Sequence, residues 1–177
     1  QSEPNGLGHA ILQAKHIIAD DFFGIILADD LILSEPGCLK QLLEIHEKTQ
    51  SSVLGVFSAS ENQVSNYGVI SSKNIDSIEK VDSIVEKPKP ADAPSNLAVF
   101  GRYILSKDIF LNIEQTKPGL NNEIQLTDAI QDLISNQDVF ALEFEGRRFD
   151  CGSKEGYISA IIDRASSIDK YKSIIEK

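Results

Sequence analysis

Residues 22–33 have the sequence FFGIILADDLIL, in which an apolar run of seven residues stops at two adjacent aspartates, Asp29 and Asp30, and then resumes. An unbroken apolar run rich in Ile and Phe is typical of a buried central strand. In open α/β sheets, ligands bind outside the carboxyl ends of the strands, so the two aspartates stand where a site is expected. Successive strand residues face opposite sides, so the two carboxylates need not share a role.

The segments beside this strand, which is predicted to cover residues 22–28, indicate an α/β fold. Apolar residues at helical spacing predict a helix over 9–20. A second helix is predicted over 34–50, with Ser34 as its N-cap and Pro36 in its first turn, and a strand over 51–59 follows. The order α-β-α-β predicts a parallel sheet with crossover helices.

Beyond residue 60 the pattern changes to shorter strands and amphipathic helices. Two of the helices have Ser106 and Thr127 as predicted N-caps, and the segment RRFDCG either extends the strand before it or pairs with it. No repeat or linker divides the 177 residues, so we expect one domain with a β-rich second part. The predicted elements are strands at 67–72, 75–88, 96–105 and 138–146, and helices at 106–115, 126–137 and 153–175.

The composition limits the possible partners. The net charge of −10 argues against non-specific binding to nucleic acid or to an anionic membrane, because both need a basic face. No apolar run approaches the length of about 18 residues that a membrane span needs. Cys38 and Cys151 show no metal-binding spacing, so we expect reduced thiols in a cytoplasmic protein. The chain has no methionine, so we expect a processed chain, a fragment or the ordered part of something longer.

A second strand-end carboxylate, Asp150, makes a metal site one of two interpretations. Asp29 and Asp30 could be solvated turn residues, and Asp150 could be an acidic residue favoured at a helix N-terminus. Alternatively, one residue of the pair and Asp150 converge on Mg²⁺, which takes oxygen ligands and often only one or two carboxylates. The residues alone leave open which of Asp29 and Asp30 would be the ligand, and the other one, on the opposite face, is then expected to be a turn or support residue.

Glu86 and Lys87 follow another predicted strand and precede a loop with prolines at 88, 90 and 94. They could form an exposed ion pair of little energetic value. Alternatively, the carboxylate accepts sugar hydroxyls and the ammonium binds a phosphate, with the prolines stiffening the loop. Among the glycines, Gly6 and Gly8 either begin a flexible end or let a base ring approach the backbone, and Gly68 is interpreted as a turn residue.

In their order along the chain, these segments resemble the bacterial UTP–glucose-1-phosphate uridylyltransferase (UDP-glucose pyrophosphorylase) family. The motifs span nearly the whole chain at the family's spacing. They are GLGHAIL, ILADDLIL, YGVI, VEKPKPADAPSNLAVFGRYIL, NNEIQLTDAI and FDCGSKEGY.

The resemblance implies a nucleotide-diphospho-sugar transferase-like (Rossmann-like) fold, a mixed sheet flanked by helices. It implies one nucleotidyltransferase domain over 1–177, with a parallel nucleotide-side part at 1–60, a sugar-phosphate-binding part at 61–150 and a C-terminal helix at 151–177. It also implies that the family's first strands and its Gly-rich triphosphate loop are missing. The chain would then be the C-terminal two-thirds of the enzyme and, alone, would bind UTP poorly and turn over little.

The family makes UDP-glucose and pyrophosphate from UTP and glucose 1-phosphate with Mg²⁺, usually as a dimer or tetramer, and the resemblance implies the same here. Two other interpretations remain: a nucleotidyltransferase for another sugar or base, and a non-catalytic sugar-nucleotide-binding or scaffold protein. By matching positions, the resemblance implies three catalytic residues: Asp29 and Asp150 bind the metal, and Lys87 binds the phosphate of the sugar phosphate. The resemblance also implies that the sugar is contacted by Glu86, Gly68 and Asn96. It further implies that the uracil is contacted by Gly8, with Gly6.

Overall fold

The computed structural model describes residues 1–76 and 78–175. Helices and strands alternate through the first part of the chain, and strands dominate its middle. In chain order the elements are α1 (Leu7–Leu12), β1 (Phe22–Ile26), β2 (Asp30–Leu33), α2 (Cys38–Thr49), β3 (Ser52–Ser58), β4 (Gly68–Ile75), β5 (Ile78–Glu86), β6 (Leu97–Ser106), α3 (Ile109–Gln115), α4 (Leu126–Ile134), β7 (Val139–Glu143), β8 (Arg147–Asp150), α5 (Lys154–Ser166) and α6 (Asp169–Ile175).

Six strands form a mixed sheet in the order β1-β6-β3-β7-β5-β4, which confirms the predicted fold class. The prediction that the first strands form a parallel core is wrong in one respect. β1 and β3 run in the same direction, but β6 lies between them and is antiparallel to both. Among the described strands, the parallel neighbours are β3 and β7. A strand from the second half of the chain therefore completes the sheet begun by the first.

β1 lies at an edge of the described sheet, so the prediction of a central buried strand is wrong for it. The side chain of Ile26 is 58% exposed, whereas Phe23 and Ile25 are partly buried against the main core. An apolar run shows that a strand can be buried but not which strands flank it. Its position in the sheet therefore could not be predicted from the run alone.

Helices cover both faces of the sheet. α1, α3 and α4 pack on one face, where Ile109, Ile113 and Leu133 are buried in the main core. α2 packs on the other face through Leu42 and Cys38, against β3 and β6. Within the described residues, no helix combines the length and the hydropathy that crossing a membrane would require.

Several predicted helix ends are wrong. The first helix is confined to α1, and residues 13–17 continue as turns. α2 begins at Cys38 with Gly37 as its N-cap, so Ser34 and Pro36 precede the helix, and the Glu35–Pro36 peptide is cis. The long C-terminal helix is two helices, α5 and α6, which are separated at residues 167–168.

The other two predicted N-caps have different roles. Ser106 ends β6, and its hydroxyl accepts the Asp108 N–H at 3.2 Å, while Asp108 itself is the N-cap of α3. Thr127 lies inside α4, whose N-cap is Gln125. Because the hydroxyl of Thr127 is not used for capping, it is available to a partner on another element.

A second, two-stranded sheet joins two distant segments. The sequence predicted no strand over residues 30–33, yet β2 pairs antiparallel with β8, so the RRFDCG segment pairs with β2 and does not extend β7. In this pairing Asp30 lies directly opposite Asp150. The small sheet thus brings together the two acidic segments that the sequence singled out.

Candidate functional site

A cleft of about 340 Å³ lies where β1, β5 and β8 end. It is bounded by the turn after β1, by the ends of β5 and β8, and by the segment that leads into α4. Its lining residues are Leu7, Leu27, Asp29, Asp30, Asn66, Tyr67, Gly68, Glu86, Lys87, Val99, Phe100, Gly101, Tyr103, Glu123, Gln125, Leu126, Thr127, Arg148 and Asp150. Five predicted site residues are among them: Asp29, Asp150, Glu86, Lys87 and Gly68.

The two carboxylates predicted to bind metal meet at Gly152. Asp29 Oδ2 and Asp150 Oδ1 lie 3.2 and 3.1 Å from the point where a side chain would begin on Gly152. The Cys151 N–H donates to the Asp29 carbonyl at 2.7 Å, which ties the two segments together. A side chain at position 152 would press on both carboxylates and displace them by a few tenths of an ångström, so glycine leaves the space beside them open.

This pair of oxygens suits Mg²⁺ better than a metal that needs a protein cage. Among residues 1–76 and 78–175, no group of three or more His, Cys, Asp or Glu side chains is arranged to hold a metal. Mg²⁺ is commonly held by one or two carboxylates and completes its shell with water and substrate phosphates. The described residues therefore fit that ion.

Arg102 fixes the backbone of the turn that carries Asp29. Its guanidinium donates to the Leu27 carbonyl at 3.2 Å and to the Asp30 carbonyl at 2.7 Å, on either side of the turn. The Leu27 N–H in turn donates to the Gly101 carbonyl at 2.9 Å. The sequence analysis did not identify Arg102, because nothing local shows that the end of β1 lies beside β6.

Asp30 is a buried support residue, as its position on the opposite face suggested. Its Oδ2 accepts the Gly101 N–H at 2.8 Å, and its Oδ1 accepts Nε of Arg148 at 2.5 Å. Both oxygens therefore have a donor inside the protein. Asp30 anchors the turn to β6 and β8, and Asp29 presents its carboxylate toward Asp150.

Arg148 is a buried cation enclosed by aromatic rings. Its side chain is 11% exposed, and its guanidinium carbon lies 4.7 Å from the ring centre of Phe57, 4.9 Å from that of Tyr67 and 5.7 Å from that of Phe100. The sequence analysis missed this residue. A signal was available, because residues two apart on a strand share a face, which places Arg148 beside Asp150.

Tyr67 links this cation to the carboxylate of Asp150. Its hydroxyl accepts Nη1 of Arg148 at 3.2 Å and donates to Asp150 Oδ2 at 2.9 Å. Burial raises the pKa of the Tyr67 hydroxyl, so the group remains protonated and able to donate at neutral pH.

Glu86 and Lys87 line the cleft together at the end of β5. Glu86 Oε2 accepts the Thr127 hydroxyl at 2.6 Å, and Oε1 lies 3.4 Å from the Lys87 ammonium. Only 17% of the Glu86 side chain is exposed, against 38% of the Lys87 side chain, so the pair is half-buried on its carboxylate side. A side chain at Gly68 would lie 3.1 Å from the Thr127 hydroxyl oxygen, so glycine makes room for Thr127.

Three predicted substrate-contact residues lie outside the lining of the cleft as the described residues define it. Gly6 and Gly8 pack against the backbone of Ile124, where a Cβ would approach its carbonyl oxygen to 2.7 and 2.8 Å. Asn96 precedes β6, and its carbonyl accepts the Ala59 N–H at 2.8 Å. Leu7, between the two glycines, does line the cleft.

Comparisons with known proteins show which family the chain resembles. The family model described as nucleotidyl transferase matches residues 1–167. A UTP–glucose-1-phosphate uridylyltransferase of Pseudomonas aeruginosa is 48% identical over 163 residues, which are 90% of this chain and 58% of the relative. UTP–glucose-1-phosphate uridylyltransferase 2 of Streptococcus pyogenes is 44% identical over 171 residues, 93% of this chain and 57% of the relative.

Solved structures give the same result. A UDP-glucose pyrophosphorylase complexed with UDP-glucose superposes with a TM-score of 0.91 at 44% identity, over 94% of this chain and 64% of that one. A UTP-bound UGPase from Acinetobacter baumannii gives a TM-score of 0.85 at 34% identity, over 98% of this chain and 61% of that one. The chain thus spans 57–64% of the length of these proteins. With a family model that matches nearly all of its residues, the chain belongs to the nucleotidyl transferase family.

Proposed function

We propose that this chain carries the metal-binding and sugar-phosphate-binding groups of a UTP–glucose-1-phosphate uridylyltransferase, which makes UDP-glucose and pyrophosphate. The observation that carries the proposal is the meeting of Asp29 and Asp150 with Glu86 and Lys87 in one cleft. The 44–48% identity to enzymes of that name supports the choice of base and sugar.

The proposed reaction is a direct displacement at phosphorus. A phosphate oxygen of glucose 1-phosphate attacks the α-phosphorus of UTP, and a new P–O bond forms. The bond from the α-phosphorus to the bridging oxygen of the β-phosphate breaks, and its electron pair leaves with pyrophosphate. Several anions must come together, so positioning and charge neutralisation supply most of the rate.

Each wall of the cleft has a role in this proposal. The Lys87 ammonium binds the phosphate of the sugar phosphate. The Glu86 carboxylate accepts glucose hydroxyls through the lone pairs that the Thr127 hydroxyl does not use. Gly68 lets the sugar lie against the backbone, and Asn96 completes the sugar pocket. Support for the first two roles is the 3.4 Å separation of ammonium and carboxylate in a shared cleft.

We further propose that Asp29 and Asp150 hold Mg²⁺. The bound ion would neutralise the phosphate oxygens of the reacting groups. The two carboxylates need no other protein ligand for this, because substrate phosphates and water complete the shell. Arg102 and Asp30 keep the Asp29 turn in place.

The part of the chain that would bind the nucleotide contributes fewer residues to the cleft lining. We propose that residues 1–60 contribute the nucleotide side, with Gly6 and Gly8 flanking the uracil, and that 61–150 bind the sugar phosphate. The part from 151 onward is proposed as the C-terminal helical part, of which 176 and 177 lie outside the described residues. Leu7 in the cleft lining supports a base near the first helix. The free thiols of Cys38 and Cys151 support the proposed cytoplasmic location, and we propose a dimer or tetramer for the whole protein.

The proposal is tested by thermal unfolding of the 177-residue chain with UDP-glucose and MgCl₂. We expect the melting temperature to rise, because a ligand that binds only the folded state stabilises it. Asp29→Ala should remove the Mg²⁺-dependent part of the rise, whereas Asp20→Ala, at an exposed site before β1, should not.

Two further outcomes would contradict the proposal. A larger rise with ADP-glucose or dTDP-glucose than with UDP-glucose would favour a nucleotidyltransferase for another base. A rise that Asp29→Ala leaves unchanged would show that the metal assignment is wrong. Pyrophosphate release from UTP and glucose 1-phosphate, measured in the same samples, reports on turnover separately from binding.

A further inference from the structure

The two oxygens of Asp150 have different donors. Oδ1 accepts the Gly152 N–H at 3.1 Å, and Oδ2 accepts the Tyr67 hydroxyl at 2.9 Å. The terminal torsion of an aspartate is broad and roughly two-fold, so a carboxylate that is 41% exposed would otherwise rotate between many orientations. Two donors at opposite ends hold it with Oδ1 toward Asp29.

The direction of the Tyr67 hydroxyl is itself determined by Arg148. A phenol has one hydrogen to donate. Because Nη1 of Arg148 donates to the hydroxyl oxygen at 3.2 Å, that hydrogen is free for Asp150. The ring is also fixed, because the guanidinium carbon of Arg148 lies 4.9 Å from its centre and the Phe57 ring packs on it in a T-shaped arrangement with the ring centres 5.2 Å apart.

Arg148 also binds the carboxylate of Asp30, the acidic residue next to Asp29. Asp30 lies directly opposite Asp150 in the β2–β8 pair and is therefore as close to it in register as a second ligand could be. Nε of Arg148 and the Gly101 N–H occupy both Asp30 oxygens. The Asp30 side chain is only 9% exposed, whereas that of Asp150 is 41% exposed, so Asp150 is the one that a cation can reach.

We propose that Tyr67, held by Arg148, is a positioning residue for the metal site: its hydroxyl fixes Asp150 so that Oδ1 faces Asp29. This inference rests on the metal site of the proposed function and adds to it a group that contacts no metal itself. Hydrogen bonds to a ligating carboxylate typically change metal affinity 10–100-fold when they are removed.

The test is Mn²⁺ binding to the 177-residue chain, measured by the loss of the free Mn²⁺ electron paramagnetic resonance signal with Mn²⁺ alone. Tyr67→Phe removes the hydroxyl and keeps the ring on which Arg148 and Phe57 pack. We expect it to weaken Mn²⁺ binding about tenfold. A purely structural role would shift the urea unfolding midpoint and leave the Mn²⁺ affinity of the folded protein unchanged.

Two control variants each remove a hydroxyl group at another place in the protein. Tyr157→Phe removes a hydroxyl from an exposed tyrosine on α5, and Ser83→Ala removes a hydroxyl that is bonded to Ser71 at 2.8 Å in the β4–β5 pair. Neither should change Mn²⁺ affinity. If both controls weaken binding as much as Tyr67→Phe does, the positioning role is wrong.

Asp29→Ala and Asp150→Ala show whether a negative result contradicts the metal site itself or only the role of Tyr67. If both abolish Mn²⁺ binding while Tyr67→Phe binds like the unaltered chain, the metal site stands and the role of Tyr67 is overturned. If the aspartate variants bind like the unaltered chain, the metal assignment itself is wrong and this inference fails with it. Loss in the aspartate variants with about tenfold weakening in Tyr67→Phe supports both.

Discussion

Lys87 Nζ lies 3.4 Å from Glu86 Oε1, although the two residues are neighbours at the end of a strand. Alternation along a strand would send their side chains to opposite faces. The side chain of Lys87 does not follow this alternation, because its φ is +44°, in the left-handed region. Its N–H donates to the Tyr67 carbonyl at 3.0 Å. A backbone conformation that is unfavourable for lysine therefore puts both charges on one wall of the cleft.

This conformation has a stability cost that can be measured at position 87. A residue with a Cβ pays about 1–2 kcal/mol in the left-handed region, and glycine does not. We expect Lys87→Gly to be more stable than Lys87→Ala by about 1 kcal/mol in urea unfolding, although both lack the ammonium.

The same pair of substitutions at Lys89 is the control. Lys89 has a φ of −63°, which alanine adopts freely, so Lys89→Gly should be less stable than Lys89→Ala. Equal stability of the two variants at position 87 would show that the positive φ costs nothing there.

Thr127 orients Glu86 by a hydrogen bond of 2.6 Å, and this bond should matter for sugar binding. Thr127→Val keeps the shape and removes the donor, which leaves a largely buried carboxylate oxygen without it. We expect a loss of about 1–3 kcal/mol in unfolding free energy and weaker binding of glucose 1-phosphate, followed by NMR titration. Thr127→Ser keeps the hydroxyl and should bind nearly normally. Weak binding in Thr127→Ser as well would assign the effect to the lost methyl group.

The adjacent arginines of β8 should differ sharply in their effect on stability. Arg148 is buried and pairs with Asp30, whereas Arg147 is 60% exposed and pairs with Asp163. Removing one partner of a buried pair typically costs 3–5 kcal/mol, because a buried charge is left alone. We expect Arg148→Met to lose about that much in urea unfolding and Arg147→Met to lose less than about 1 kcal/mol.

A double substitution tests the reason for that loss. Asp30→Asn combined with Arg148→Met removes both charges, so it should be more stable than Arg148→Met alone. If the double variant is less stable than the single one by the full effect of Asp30→Asn, the two side chains do not interact.

A feature of the site could be predicted where neighbouring residues in the sequence reveal it, and could not where it depends on contacts between distant segments. Asp29, Asp150, Glu86 and Lys87 each lie at or just after the end of a predicted strand, so their position at strand ends was visible in the sequence. That they share a cleft follows from pairings between distant segments, such as Asp30 with Asp150, which no local pattern contains.

The failures have the same origin. Arg102 reaches the Asp29 turn only because β6 inserts beside β1, and an apolar run shows burial without showing neighbours. Thr127 has the residue type of an N-cap, but it bonds to Glu86 because the helix begins at Leu126. In both cases a tertiary contact decided between roles that the residue type allowed equally.

Cys38 should make the protein less stable in alkaline solution. Burial of its side chain between α2 and the sheet raises the pKa of its thiol from 9.0 to about 11. Below pH 9 the thiol is protonated in both states and this contribution to stability is complete. Between pH 9 and 11 the unfolded chain releases the proton first, so the folded state loses stability as the pH rises. By pH 10.5 the loss from this group is about 2 kcal/mol.

The measurement is urea unfolding at pH 8 and pH 10.5 under reducing conditions. Other groups, including the buried Tyr103 whose pKa is also raised, titrate in every variant, so the relevant quantity is the difference between variants. Cys38→Ala leaves a small cavity that costs the same at both pH values, and its stability should therefore fall less with pH than that of the unaltered chain. A Cys38→Ala variant with the same loss between the two pH values would show that the buried thiol does not titrate in this range.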